Sequence, residues 1–468
     1  MSRAPVDLTA AEVTRVVRAV LVPLVAQGAI VRRPRMTAWA ERRQSDREVR
    51  RVLTALRDRY DGAPLALRAG TRRLAVVTTA DDVRRLLEGT PEPFSAATKE
   101  KRGALAHFQP RGVLVSDRDG RRRRRPLNEE ALDAGHAVHE DATAFVAAVE
   151  RAAGELERTV QAARGLDAGA FLRVWWRLVL EVTFGEDARE DRRLVGVLSA
   201  LRRDGNWSWF RPRRPWLLAE LERRVARHTA SAPPTSLAGR ARDADPDEAP
   251  GQVPHWLFAF DAAGATTLRA LAVAAARPRV RDRLVDELGA SGGPGEGTVA
   301  LLPYGRACVL EAVRLWPTTL AVLRDSTRET RWGDVTVPPG TGFVVVSSFF
   351  HRDPARLEHA DGFAPEAWLD GRADDDWSLV PFSGGPASCP GRNVVLLVAS
   401  HLLARLAGLG LAVERGQHLA ADPLPCTVDH LGLRFVVRTA AAIVGGDRPG
   451  YGGTGPGSAR PPRRGGLR

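Results

Sequence analysis

The chain is poor in cysteine and poorer in lysine. Of 468 residues only Cys308, Cys389 and Cys426 are cysteine. So sparse and odd a set excludes a disulfide scaffold, and with no CxxC pair it offers no structural zinc site. It suits a reducing compartment, so the expected location is cytoplasmic. Among 69 basic residues only Lys99 and Lys101 are lysine. That bias reflects a GC-rich genome, because arginine codons are GC-rich. Membrane-spanning sequence is also missing from the N-terminal region: residues 19–31 are too short and are broken by Pro23 and Gln27. Val13, Val16, Val17, Val20, Leu21 and Leu24 fall on one helical face there, which reads as a packed amphipathic helix rather than a signal peptide.

The chain does have ample apolar residues (44%) and charge (27%), ordinary for a globular protein that buries a large core. Length divided by ~150 suggests about three domains. The formal net charge of +13 permits a nucleic-acid partner without requiring one, since most arginines alternate with acids along helices. Two basic concentrations stand out, residues 121–125, all arginine, and the tail 445–468.

Periodicity predicts a hairpin from strands at 65–67 and 74–78, then helices over 81–87, 128–163, 168–184, 192–203 and 216–228. A Pro- and Asp-rich stretch, 231–251, reads as a surface loop. Further helices are expected at 253–276, 279–288, 304–316 and 392–409, with strands at 343–347, 411–414 and 433–437. The tail is too polar and Gly/Pro-rich to bury a core, and disorder is expected.

Two motif matches are compositional. Gly289-Ala290-Ser291-Gly292-Gly293 fits GxSxG but follows a charged helix and precedes a Gly/Pro loop, not the strand–turn–helix of a nucleophile elbow. Gly450, Gly452 and Gly455 fit GxGxxG inside the low-complexity tail. His136, His139 and Glu140 share a helix face but read as solvated polar residues rather than metal ligands.

Chemistry concentrates in PFSGGPASCPGR, residues 381–392. Its glycines permit left-handed backbone, and a loop entering a helix presents unpaired amides that lower a cysteine pKa. Such a thiolate serves as nucleophile, redox thiol or metal ligand; no general base lies in the loop.

With Phe382, Gly385, Cys389 and Gly391 matching FxxGxxxCxG, and Glu311 and Arg314 matching ExxR upstream, the sequence resembles the cytochrome P-450 haem-thiolate family over essentially all of residues 1–444. The segment FHRDPARLEHADGFAPEAWLDG between the two motifs adds to the resemblance. It implies a mainly α fold with a small β region, a single large domain over 1–444, and haem b (iron protoporphyrin IX) with Cys389 as the axial iron ligand. Phe382 would pack beside the ligand, and Gly385 and Gly391 would let the loop approach the porphyrin. Glu311 and Arg314 would form a buried structural pair, whose usual third member, an arginine, is here Ala367.

The family's AGx(D/E)T pattern falls on Ala263, Gly264, Ala265, Thr266 and Thr267, with Thr266 in the place of the acid. Gly264 would leave room for dioxygen, and Thr267 would hydrogen-bond it and help deliver protons. Asp261 lies too far back to substitute for the acid. Haem propionates would take Arg324, Arg125 and Arg121, while Ala387 replaces the usual basic residue two before the cysteine.

By this resemblance the protein is a soluble, monomeric bacterial monooxygenase inserting one oxygen atom into an apolar small molecule. Its pocket is expected along residues 262–267 and 320–323, with 206–210 contributing to substrate choice. Electrons would come from a separate ferredoxin and its NAD(P)H-dependent reductase, an acidic ferredoxin suiting the arginine-rich face. No nucleic-acid or membrane partner is expected. Rival readings are a peroxide-driven or atypical oxidation (peroxygenase, coupling, desaturation), a non-catalytic haem-binding sensor, and a nucleic-acid binder.

Overall fold

A computed structural model describes residues 3–291, 299–374, 376–415 and 417–438. Residues 1–437 form one compact unit, so the three domains suggested by length are one. The tail, with its expected disorder and its GxGxxG match, lies outside the described residues, as does part of the GxSxG match.

The described chain is mainly helical with a smaller β region. At its centre runs the helix Ala249–Ala276. It is apolar on every side, the pattern of a helix surrounded by others, and it packs on the helices Pro303–Leu315 and Arg392–Ala407. By length and composition this helix alone, among the described residues, qualifies to cross a membrane, but 78% of its most apolar window is buried in the protein.

The six-stranded sheet runs Val6–Asp7, Leu65–Ala69, Arg72–Val76, Gly342–Val346, Ala321–Ser326 and Phe94–Ser95. The predicted hairpin forms its second and third strands, in register Leu65 to Val76. Strands Leu411–Arg415 and Arg434–Val437 join Gly165–Asp167 in a smaller sheet.

Two expected elements differ. The helix read over 128–163 is two helices, Arg118–Ala131 and Ala142–Ala163, separated where Asp133 takes a left-handed φ of 46°. The arginine run therefore lies inside a helix capped by Asp117, whose carboxylate accepts from the Gly120 N–H at 2.8 Å. The stretch read as a loop over 231–251 contains the helix Leu237–Ala244, capped by the Ser236 hydroxyl, which accepts from the Gly239 N–H at 3.2 Å. Capping chemistry outweighed Pro- and Asp-rich composition there.

Candidate functional site

The loop ahead of the helix Arg392–Ala407 carries Cys389. Its N–H donates to the Phe382 carbonyl at 2.9 Å, which closes the loop on itself. Gly385 has φ +63°, and a Cβ there would collide with the Leu87 carbonyl. Its glycine character is required by a turn against Leu87. Gly391 would tolerate a Cβ at ordinary contact distances; its contribution is a backbone N–H directed at the Cys389 sulfur.

The sequence predicts a lowered thiol pKa at Cys389. Burial instead pushes it up, against the Gly391 N–H and the Arg125 charge, which pull it down. The residue is surrounded by protein yet only half-buried by its own surface. A thiol in that setting is deprotonated by a metal ion rather than by its surroundings. Of the other cysteines, Cys308 is buried in the core, and Cys426 accepts from Arg50 Nη1 at 3.4 Å.

Arginines hold this loop from outside. Arg121 Nη2 donates to the Pro386 carbonyl at 3.0 Å, and Arg125 Nη1 to the Ser388 carbonyl at 2.8 Å. The two are four residues apart on one helix face, so both reach the loop. Arg124 turns to Glu248 at 2.9 Å, while Arg122 and Arg123 are exposed.

Arg324, fully enclosed, donates to Ser383 Oγ in the same loop at 3.2 Å and to Thr90 Oγ1 at 2.8 Å. Its Nη1 donates to the Leu323 carbonyl at 3.0 Å, and Lys101 Nζ reaches that same carbonyl at 3.3 Å. A buried guanidinium and a half-buried amine thus share one neutral acceptor. Burial and Arg324 bring the Lys101 pKa down to about 7; burial and Arg121 bring Arg324 to about 10. Close to both Lys101 and Arg125, His255 hydrogen-bonds Gln109 Oε1 at 2.9 Å, with its pKa lowered to about 4 by burial, Lys101 and Arg125.

This surplus of enclosed positive charge fits a group bearing carboxylates, and the enclosed sulfur fits a soft metal ion. Lys101 and His255 were not singled out by sequence. Lys101 was one of only two lysines, and that rarity was the available signal.

The central helix brings His255 to this charge. His255, Phe258, Ala259 and Ala262 keep partial exposure along one face. Thr266 and Thr267 donate back to the carbonyls of Ala262 and Ala263, at 3.0 and 2.9 Å. Asp261 is bound to Arg202 at 2.6 Å, so it is committed elsewhere.

At Gly264 a Cβ would lie 2.7 Å from Trp175 Nε1, which itself donates to the Phe260 carbonyl at 2.9 Å. The missing side chain admits the Trp175 indole. Gly264→Ala is expected to cost about 1–3 kcal/mol by overpacking. Trp175→Phe in the same chain should recover most of that loss in denaturant unfolding; no recovery would reject the packing explanation.

Behind the site Glu311 and Arg314 are completely buried. Arg314 Nε and Nη2 donate to the two Glu311 oxygens at 2.7 and 2.6 Å. Arg314 also donates to the carbonyls of His351, Ala360, His359 and Gly362. Ala367, where an arginine is usual in the family, leaves no gap. Trp368 Nε1 donates to Glu311 Oε2 at 2.9 Å, and the Ala364 N–H to Oε1 at 2.9 Å.

The three residues weighed as metal ligands point apart. His136 binds Asp133, Glu140 pairs with Arg240, and His139 is buried against Phe145.

Comparisons with known proteins agree with this geometry. Residues 259–406, from the central helix through the Cys389 loop, match the family model of cytochrome P450. The chain is 33% identical over 126 residues to cyclooctatin synthase of Streptomyces melanosporofaciens, a match covering 26% of this chain and 28% of that protein. It is 28% identical over 188 residues to a probable cytochrome P450 4d20 of Drosophila melanogaster, covering 38% of this chain and 35% of that one. The matches thus span about a third of these relatives' length. A zebrafish cytochrome P450 structure with abiraterone superposes with a TM-score of 0.60 at 20% identity, covering 77% of this chain and 91% of that one, which establishes the fold.

Proposed function

We propose that this chain, which belongs to the cytochrome P450 superfamily, is a haem-thiolate monooxygenase of the soluble bacterial type, cytoplasmic and monomeric. The observation that carries the reading is that buried Arg324 and half-buried Lys101 share one carbonyl beside the Cys389 loop, with no carboxylate between them among the described residues. Haem would be held by Cys389 at its iron and by Arg324, Lys101, Arg121 and Arg125 toward its propionates. When bound, it would supply activation of dioxygen, for which a thiolate ligand donates electron density.

The protein's own residues do the rest. Arg121 and Arg125 fix the Pro386 and Ser388 carbonyls, both just ahead of Cys389, so the loop holds the cysteine in place. The Gly391 N–H holds negative charge on the Cys389 sulfur. Thr267, fully buried, holds its hydroxyl on the Ala263 carbonyl, and that hydroxyl would handle protons once turned from it. Thr266 has no acid to offer, and Asp261 is tied to Arg202, so proton supply to Thr267 relies on water. Electrons would come from an acidic ferredoxin and its NAD(P)H-dependent reductase, docking on the exposed arginines that flank the Cys389 loop, Arg118, Arg122, Arg123 and Arg392.

Turnover of a bound substrate with a ferredoxin–reductase pair, compared with peroxide alone, tests this reading. Thr267→Ala is expected to lower product formed per reductant consumed by about tenfold while leaving peroxide-driven turnover unchanged. Equal coupling in variant and parent, or turnover with peroxide only, would favour the peroxygenase alternative.

A further inference from the structure

Away from the Cys389 loop, a cavity of ≈ 20 Å³ is lined by Arg32, Asp46, Arg269, Trp316, Leu320 and Thr427, among others. Two of its walls are guanidinium groups bound to neutral acceptors alone among the described residues. Arg32 donates to the Gly28 carbonyl at 2.6 Å and to the Thr318 carbonyl. Arg269 donates to the carbonyls of Trp316 and Val428, each at 3.0 Å, and its buried Nε has no acceptor.

No surrounding acid touches either guanidinium among the described residues. Asp46, in the cavity wall, attracts Arg32 but accepts from Thr427 Oγ1 at 3.0 Å, and burial raises its pKa, which weakens that attraction. Asp261 is bound to Arg202, Glu41 accepts from the Asp429 N–H at 3.1 Å, and Asp429 accepts from the Leu431 N–H at 3.1 Å. His430, buried nearby with an unpartnered Nδ1, is held neutral by burial, Arg269 and Arg32. Burial lowers the pKa of Arg32 and Arg269 to about 10, and Arg32 adds to the effect on Arg269. Enclosed guanidinium charge without a carboxylate contact is costly unless an anion meets it.

Position connects this cavity with the reacting space. His255, Ala259, Ala262, Thr266 and Arg269 follow the alternating three- and four-residue steps of one helix face. The same face carries the partly exposed residues over the site. Ala262 to Arg269 is about 10 Å along the axis. Leu320, in the cavity wall, begins the segment 320–323 expected to line the pocket.

We infer that this cavity receives the carboxylate of the substrate, so the substrate is an apolar molecule with one anionic end, held by Arg269 and Arg32. Its ≈ 20 Å³ admits about one oxygen-sized group, so one carboxylate oxygen enters it and the apolar body stays outside. A small free carboxylate would satisfy the same donors. The inference rests on the monooxygenase reading only for the direction in which the apolar body extends.

The test is calorimetric titration of the holoprotein with octanoate, 1-octanol and acetate. Octanoate should bind at least about tenfold tighter than octanol. Arg269→Leu and Arg32→Leu should each erase that preference without weakening octanol binding, and Arg269→Lys should keep part of it. Because Arg269 is deeply packed, Arg32→Leu decides the matter if Arg269→Leu fails to fold. Equal binding of octanoate and octanol by the parent protein would overturn the inference. Acetate bound as tightly as octanoate, and lost in the same variants, would overturn the substrate assignment in favour of a free-anion site. The reduced, carbon-monoxide-bound spectrum of the same samples scores the haem-thiolate reading separately, because heat of binding at Arg269 does not depend on it.

Discussion

Cys389→Ala is expected to abolish the haem-thiolate signature in the reduced, carbon-monoxide-bound spectrum and all oxygenation with it. Cys389 is the cysteine in the loop that Arg324, Arg121 and Arg125 hold, and the other two cysteines are held elsewhere, Cys308 in the core and Cys426 against Arg50. The fold should survive. The loop is closed by the Cys389 N–H to the Phe382 carbonyl and pinned through Pro386 and Ser388, all backbone contacts that alanine retains. Cys389→Ala therefore separates loss of the ligand from loss of structure: thermal unfolding of the haem-free protein should be nearly unchanged. An unaltered spectrum in Cys389→Ala would end the thiolate assignment.

Glu311→Ala is expected to cost about 3–5 kcal/mol, the range for stranding one partner of a buried ion pair. Arg314 would keep its four carbonyl acceptors but lose its only carboxylate contact among the described residues, in a place with no exposure. The Trp368 indole and the Ala364 amide would lose their acceptor as well. Against a typical stability of about 5–15 kcal/mol this is a large fraction, so much of the protein should fail to fold in cells. Glu311→Gln, which keeps the shape and one acceptor oxygen, should lose less. The midpoint of denaturant unfolding measures both, provided its slope is unchanged. A cost below about 1 kcal/mol would put the pair in the class of surface pairs.

Local patterns explain why some elements were legible. The hairpin at 65–76, the helices at 168–184 and 392–407 and the ExxR spacing depend on residues a few positions apart, and sequence displays those directly. The helix at 237–244 was missed because its cap, Ser236, lies among prolines and aspartates that read as loop. Gly264 and Gly385 were legible in their motifs, but their neighbours were not. Only the packed fold brings Trp175 against one and the Leu87 carbonyl against the other.

The sequence by itself determined the cysteine loop, the paired Glu311 and Arg314, and the threonines of the central helix, because each is a short pattern with a fixed chemical meaning. Tertiary structure alone decided which charges are enclosed together. Lys101 meets Arg324 across 223 positions of chain, Arg32 meets Arg269 across 237, and Trp368 takes the place of the arginine that Ala367 lacks. Burial turns such encounters from solvated charges into a demand for an anion, and burial is a property of the folded chain.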